Sequence, residues 1–298
     1  MRYVSASASV LAPAKINLFL RVLHKRADGY HELDTLFQAI ALYDRVTVEL
    51  SRAGVELEVS GCDTGPDHEN LAFLAAQRLI AVAGVDIGVK IYLDKQIPVG
   101  GGLGGGSSDA AAVLRALAIL HEDLAGEERL RGIGTELGAD VAFFLGESAL
   151  SRGTGRGENL QPMPALPVTN LVVVSPSVHS STAEAYTALN RPLREDARIW
   201  EPKSLEVLRT WTEVEACACN DFQDPISNQH PQVAQCLNML SETGASPVML
   251  SGSGSSSFGF FSSSVRAKAV ADDLGRQFGW RCFATTTLGT LPVPEVLA

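Results

Sequence analysis

Residues 98–114 read PVGGGLGGGSSDAAAVL, and six of the seven positions from 100 to 106 are glycine. Without Cβ atoms, such a run can enter positive-φ conformations and close its backbone N–H groups on an anion. Ala110, Ala111, Val113, Leu114, Leu117, Ala118 and Leu120 follow at the spacing of a broad apolar helix face. That helix is expected to open at Ser107 and to direct the positive end of its dipole at the same anion. A phosphate suits this arrangement best. The pattern G-x-G-x-x-G is met through Gly100, Gly102 and Gly105, but a dinucleotide turn follows its strand directly. Here Asp94, Lys95, Gln96, Ile97 and Pro98 separate the strand-like residues 89–93 from the first glycine. No Lys-Ser or Lys-Thr pair closes the run, as a Walker A loop requires. A flexible glycine linker is the other reading of this composition.

Residues 12–17, APAKIN, put Lys15 and Asn17 two apart in an apolar strand pattern, so both face one side of a sheet. An ammonium in that position either lies at a sheet edge or meets a carboxylate or phosphate. The candidate partner is Asp140, the one acid in residues 138–145, at the start of an apolar helical run. Its alternative role is an ordinary N-cap. Residues 26–33, RADGYHEL, form a turn with Tyr30 and His31 at its exit. The segment LSGSGSSSFGFF at 250–261 lies between strand patterns, and its small residues suit either a close approach to a ligand or a plain hairpin loop.

The elements that must position these residues are legible in outline. Residues 10–22 read as two short strands interrupted at Pro13, and 45–50 with 55–59 as a hairpin turned at Ala53-Gly54. A helix is expected over 70–83, with Leu71, Leu74, Leu79 and Val82 on its apolar face and Gly84 at C′. A second is expected over 127–137. Three prolines within 161–167 mark a boundary, giving domains of 1–164 and 165–298. Beyond it, strands are expected at 171–174, 248–250 and 257–261, and helices at 204–212, 231–242 and 265–278.

Composition narrows the function classes. A chain of 298 residues, 46% hydrophobic, has room for about two domains. Its net charge of -10 argues against binding nucleic acid or an anionic membrane, which need a basic surface. Five cysteines without C-x-x-C spacing fit reduced thiols and a cytoplasmic setting. Cys217 and Cys219 lack the second pair that a zinc site would need. The absence of an 18-residue apolar run or a targeting pattern predicts a soluble, unexported protein.

In order along the chain, PAKINL at 13–18, RADGYH at 26–31, the glycine loop, GADV at 138–141 and LSGSG at 250–254 resemble the GHMP kinases, the family of galactokinase and of homoserine, mevalonate and phosphomevalonate kinases. The glycine loop and second Gly/Ser segment mark the superfamily. PAKINL with RADGYHEL marks the branch acting on a CDP-linked methylerythritol in isoprenoid precursor biosynthesis. Ala142 stands where that branch commonly has proline. The resemblance implies a two-domain α+β fold, an N-terminal nucleotide-binding α/β domain and a C-terminal ferredoxin-like domain, with the active site between them. It implies transfer of the γ-phosphoryl group of ATP, with Mg2+, to the 2-hydroxyl of that small-molecule substrate. Asp140 would accept or orient the hydroxyl proton, and Lys15 would keep Asp140 ionised and offset phosphoryl charge. Asn70 and Lys95 would lie at the adenine or ribose. Pro98, Val99, Gly100, Gly101, Gly102, Leu103, Gly104, Gly105, Gly106, Ser107 and Ser108 would wrap the phosphates. Asn17, Tyr30, His31, Thr182 and Tyr186 would bind substrate, the two tyrosines sandwiching cytosine and His31 hydrogen-bonding to it. The Mg2+ ligand is left open, Ser108 being either that or a helix cap. The alternatives are a GHMP kinase of the mevalonate or homoserine type, or a nonenzymatic nucleotide sensor.

Overall fold

A computed structural model describes residues 6–178, 180–189 and 208–297. β1 (Ser7–Lys25) and β2 (His31–Ser51) form a long antiparallel pair. Residues 12–20 are buried without alternation, because β1 is covered on both faces there. The break expected at Pro13 does not occur. The strand runs through, and a register shift between Pro13 and Ala14 accommodates the residue that lacks an N–H.

The hairpin expected at Ala53-Gly54 is also replaced. β4 (Gly88–Asp94) lies between β2 and β3 (Val55–Ser60), antiparallel to the first and parallel to the second. β3 alternates half-buried and exposed residues and takes the edge, whereas β4 buries Val89, Ile91 and Leu93. The crossover that parallel pairing requires is α1 (Leu71–Ala83), capped by the Asn70 side chain on the Ala72 N–H and ended by left-handed Gly84. Its buried stripe is Ala72, Ala75, Ala76 and Leu79; Val82, assigned to that stripe from sequence, is 49% exposed.

α2 (Gly105–Leu120) opens two residues before Ser107, with Gly104 as N-cap, so Ser107 and Ser108 lie inside its first turn. It packs with α1, α3 (Glu127–Leu137) and α4 (Ala139–Leu145) over the sheet. α4 forms with Ala142 buried in place of the branch's proline. β5 (Leu150–Gly155) pairs with β2 and with β6 (Asn159–Pro162).

The second half carries β7 (Asn170–Ser175), α5 (Thr182–Leu189), α6 (Trp211–Cys217), β8 (Cys219–Asn220), α7 (Gln223–Gln229), α8 (Pro231–Glu242), β9 (Val248–Leu250), β10 (Ser257–Phe261), α9 (Ser264–Phe278), β11 (Arg281–Thr286) and β12 (Glu295–Leu297). Its antiparallel sheet has the order β11-β7-β10-β9, and with α8 and α9 this is the ferredoxin-like arrangement. The helix expected over 204–212 falls partly on residues 204–207, outside the described ones; α6 begins at Trp211, where Thr210 and Glu213 form a capping box. The proline-rich connection does lie between the two sheets, yet β8 and β12 return to pair with β1. Ile16, Leu18 and Ile40 share a core cluster with Leu171, Val173, Phe258 and Phe260, so the halves are packed together. Among the described residues, all five cysteines are free and no helix is long and apolar enough to cross a membrane.

Candidate active site

The glycine loop is ordered by contacts at both ends and in its middle. Leu103 is buried, and its carbonyl accepts from the Lys15 N–H at 2.9 Å. Ser251 Oγ donates to the Gly102 carbonyl at 2.9 Å, and the Ser256 N–H to the Gly101 carbonyl at 3.0 Å. The linker reading therefore fails. Residues 251–256 are the turn between β9 and β10, as a hairpin loop would be, and they also grip the glycine loop. Gly102 has a φ of +75°, and a Cβ there would come within 2.1 Å of the Ser251 carbonyl. Only glycine fits.

At the base of the loop, Lys95 is buried and ion-paired with both Asp44 and Asp109, the latter at 2.7 Å. Asp44 Oδ1 also accepts from the N–H groups of Gln96 and Ile97, at 2.5 and 2.8 Å. The cluster ties the loop's entry to α2 at its exit. Two buried carboxylates share one ammonium, and burial pushes Asp109 up to about 8 despite the attraction of Lys95. Lys95 lines the cavity, but its charge goes to these carboxylates rather than standing free for a nucleotide. Asp44 and Asp109 were missed in the sequence reading. The available signal was an acid within the apolar run of α2.

Lys15 is 4% exposed: β2 flanks it on one side and the glycine loop covers the other, so it does not sit at an open sheet edge. Its ammonium donates to Asn17 Oδ1 at 2.8 Å and stands 3.4 Å from Asp140 Oδ2. Gly138 is the N-cap of α4, so Asp140 is not; it lies in the first turn with its side chain partly open. Lys15, Asn17, Asp140, the loop from Pro98 to Ser107, Asn70 and Gly252 line one cavity of about 700 Å³. Ser108 is instead buried, and its Oγ meets no partner among the described residues.

A second cavity, of about 590 Å³, is lined by Tyr30, His31, Gly138 and Ala139. Arg156, Thr182 and Tyr186 line both cavities, so the two adjoin. The two tyrosines lie on this second cavity in different surroundings. His31 stacks on Tyr186 at 4.6 Å, and Phe222 meets Tyr186 edge to face at 4.9 Å. Tyr30 points outward, 56% exposed, beneath the Arg156 guanidinium at 4.8 Å. Burial, with the charge of Asp140, pushes the Tyr186 phenol up to about 12, so it stays protonated. Burial and nearby Lys25 hold His31 below the usual histidine range. Arg156 carried no signal in sequence.

A glycine-rich loop facing a lysine-carboxylate pair, between an α/β layer and a ferredoxin-like layer, suits a small-molecule kinase architecture, and the chain belongs to the GHMP kinase family. The pattern for the GHMP kinases N terminal domain matches residues 70–147, and that for the GHMP kinases C terminal matches 204–279. More narrowly, a protein of Solibacter usitatus named 4-diphosphocytidyl-2-C-methyl-D-erythritol kinase is 42% identical over 85% of this chain and 81% of its own length. One of Desulfotalea psychrophila with the same name is 38% identical over 94% and 95%. A crystal structure of 4-(cytidine 5'-diphospho)-2C-methyl-D-erythritol kinase superposes with a TM-score of 0.79 at 36% identity, covering 94% of this chain and 99% of that one. A homoserine kinase from Cytophaga hutchinsonii, at 19% identity and a TM-score of 0.75, shares the fold. The family's chemistry is ATP-dependent phosphoryl transfer to a small molecule.

Proposed function

We propose that this chain uses ATP to phosphorylate the 2-hydroxyl of 4-diphosphocytidyl-2-C-methyl-D-erythritol. The observation that carries this reading is the Lys15–Asp140 pair, facing the glycine loop in a cavity that adjoins a second, aromatic-lined one. The backbone N–H groups of the loop and the positive end of α2 cradle the ATP phosphates. Asp140 accepts a hydrogen bond from the acceptor hydroxyl and aligns it. Lys15 favours the ionised form of Asp140 and offsets charge on the transferring group. Because that group passes through a loose transition state, alignment carries most of the catalysis and proton removal comes late. Asn17 and Thr182 border the acceptor, and Tyr30, His31 and Tyr186 take its cytidine end.

The residues present suit an Mg2+ ion carried on ATP. No cluster of three or more His, Cys, Asp or Glu able to hold a metal occurs among the described residues, while Ser108 has an unpartnered hydroxyl in the first turn of α2. Asp140 would offer an oxygen donor at the cavity and the buried Ser108 hydroxyl a second, with phosphate and water supplying the rest, and the bound ion would neutralise phosphate charge.

The deciding experiment is ATP-dependent phosphorylation of the cytidine-bearing acceptor, with mevalonate and homoserine as controls. Turnover confined to the first is expected. Preference for either control would overturn the substrate assignment.

A further inference from the structure

From Lys15 a line of buried hydrogen bonds runs through Asn17 to Thr35, a residue that also lines the cavity but has no role in the reaction as described above. Lys15 Nζ donates to Asn17 Oδ1, Asn17 Nδ2 donates to Thr35 Oγ1, and Thr35 Oγ1 donates to the Phe19 carbonyl, each at 2.8 Å. Asn17 and Thr35 are buried, as is Lys15. Thr35 reaches Asn17 across the β1–β2 ladder, beside a register shift between Asn17 and Phe19.

The direction of every bond in this line is forced. A backbone carbonyl only accepts, so the single hydroxyl proton of Thr35 goes to Phe19, and Thr35 must accept from Asn17. At the other end an ammonium only donates, so Asn17 must present its carbonyl to Lys15. Both ends demand the same orientation of one amide. Without the hydroxyl, the buried Asn17 NH2 loses its acceptor and the amide no longer has a preferred rotamer at that end. With Lys15 alone holding the amide, the unpaired NH2 draws Asn17 toward another acceptor and loosens the aim of the Lys15 ammonium at Asp140.

We propose that Thr35 is a positioning residue for phosphoryl transfer, fixing the Asn17 amide so that the Lys15 ammonium stays directed at Asp140. This rests on the kinase reading above. Thr35→Val preserves shape and removes only the hydroxyl, and Thr35→Ser retains the hydroxyl. In Thr35→Val, kcat should fall about tenfold while KM for ATP is unchanged, the pattern of an interaction used in the transition state. Thr35→Ser should restore kcat to within about twofold, in keeping with a hydroxyl rather than a packing effect. By NMR, the Asn17 side-chain amide protons should exchange slowly in wild type and in Thr35→Ser, and faster in Thr35→Val. Wild-type kcat in Thr35→Val, or a Thr35→Ser variant as slow as Thr35→Val, would overturn the proposal. Should Thr35→Val not fold, Thr35→Ala replaces it; failure of both to fold would assign the hydroxyl to stability and reject the positioning role. A wild-type chain inactive on the cytidine-bearing acceptor counts against the functional reading instead, and the exchange measurement then tests the hydrogen-bond line by itself.

Discussion

Asp140 lies within 3.4 Å of the Lys15 ammonium and opens to the cavity, the position of a group that aligns a hydroxyl. Asp140→Asn keeps its size and removes its charge. Turnover should fall by about 10² or more with ATP affinity nearly unchanged, the usual worth of a positioned acid or base. Lys15→Met should act similarly, and because the pair works as a unit the double variant should be far from additive. Single-turnover kinetics with ATP titrations check this, and near-wild-type turnover in Asp140→Asn would remove it from the chemistry. Tyr30 allows a separate test of acceptor binding, since its ring is exposed and carries little of the fold. Tyr30→Ala should leave thermal stability within about 0.5 kcal/mol. If a base stacks there, CDP binding should weaken by roughly 1 to 3 kcal/mol with ATP binding untouched. Equal loss for both nucleotides in competition assays would place the base elsewhere.

At the scale of elements, the entry and exit of the glycine loop are joined by Asp44, Lys95 and Asp109, and the two acids are not equivalent. Asp44 accepts from Lys95 and two backbone N–H groups, whereas Asp109 Oδ1 has no hydrogen-bond partner among the described residues and burial pushes its carboxyl up to about 8. An asparagine imitates a protonated carboxyl but not a carboxylate. Asp109→Asn should therefore retain fold and loop, while Asp44→Asn sets an NH2 against Lys95 and should lose roughly 3 to 5 kcal/mol. The pH dependence follows with its sign. A carboxyl raised on folding stabilises most below its unfolded value near 3.8, and that contribution is lost as pH rises toward 8. Asp109→Asn should accordingly flatten the fall of Tm between pH 4 and 8. An unchanged slope would mean that Asp109 is ionised in the fold. This cluster was only partly legible in the sequence: the acid at the head of the apolar run of α2 stood out, but its partners are set 51 and 14 residues apart and nothing local pairs them. The end of α1 at Gly84 was legible, being chosen by neighbouring residues. The insertion of β4 between β2 and β3 was not, since a turn at Ala53-Gly54 suits either pairing and the choice belongs to nonlocal burial. The stacking of His31 on Tyr186 was not legible for a related reason: it is set by the approach of α5 to β2, which spacing along the chain does not encode.

For the whole molecule, the order of motifs was enough to indicate two layers with a cleft between them, but the dependence of the second layer on the first emerges only from packing. β8 pairs with β1, residues 251–256 grip the glycine loop, and Asn220 Nδ2 donates to the carbonyls of Leu250 and Gly252 at 2.8 Å, holding that turn from a strand seated on β1. The inner face of the ferredoxin-like sheet, with Leu171, Val173, Met249, Phe258 and Phe260, is covered by Ile16, Leu18, Phe19, Leu36 and Ile40. A fragment of residues 165–298 would expose that apolar face to water. At about 1.5 to 3 kcal/mol for each large side chain uncovered, the loss is comparable with the whole stability of a domain of this size. The fragment should not fold alone, despite having a complete ferredoxin-like set of elements. The full chain should unfold in one transition, moved upward as a whole by ATP, because ligand binding at a cleft built from both layers stabilises both together. Circular dichroism of the fragment and calorimetry of the full chain with and without ATP test this. A fragment with a cooperative melt, or a full chain whose two halves melt separately with only one responding to ATP, would show that the layers are independent and that the glycine loop does not need its grip from residues 251–256.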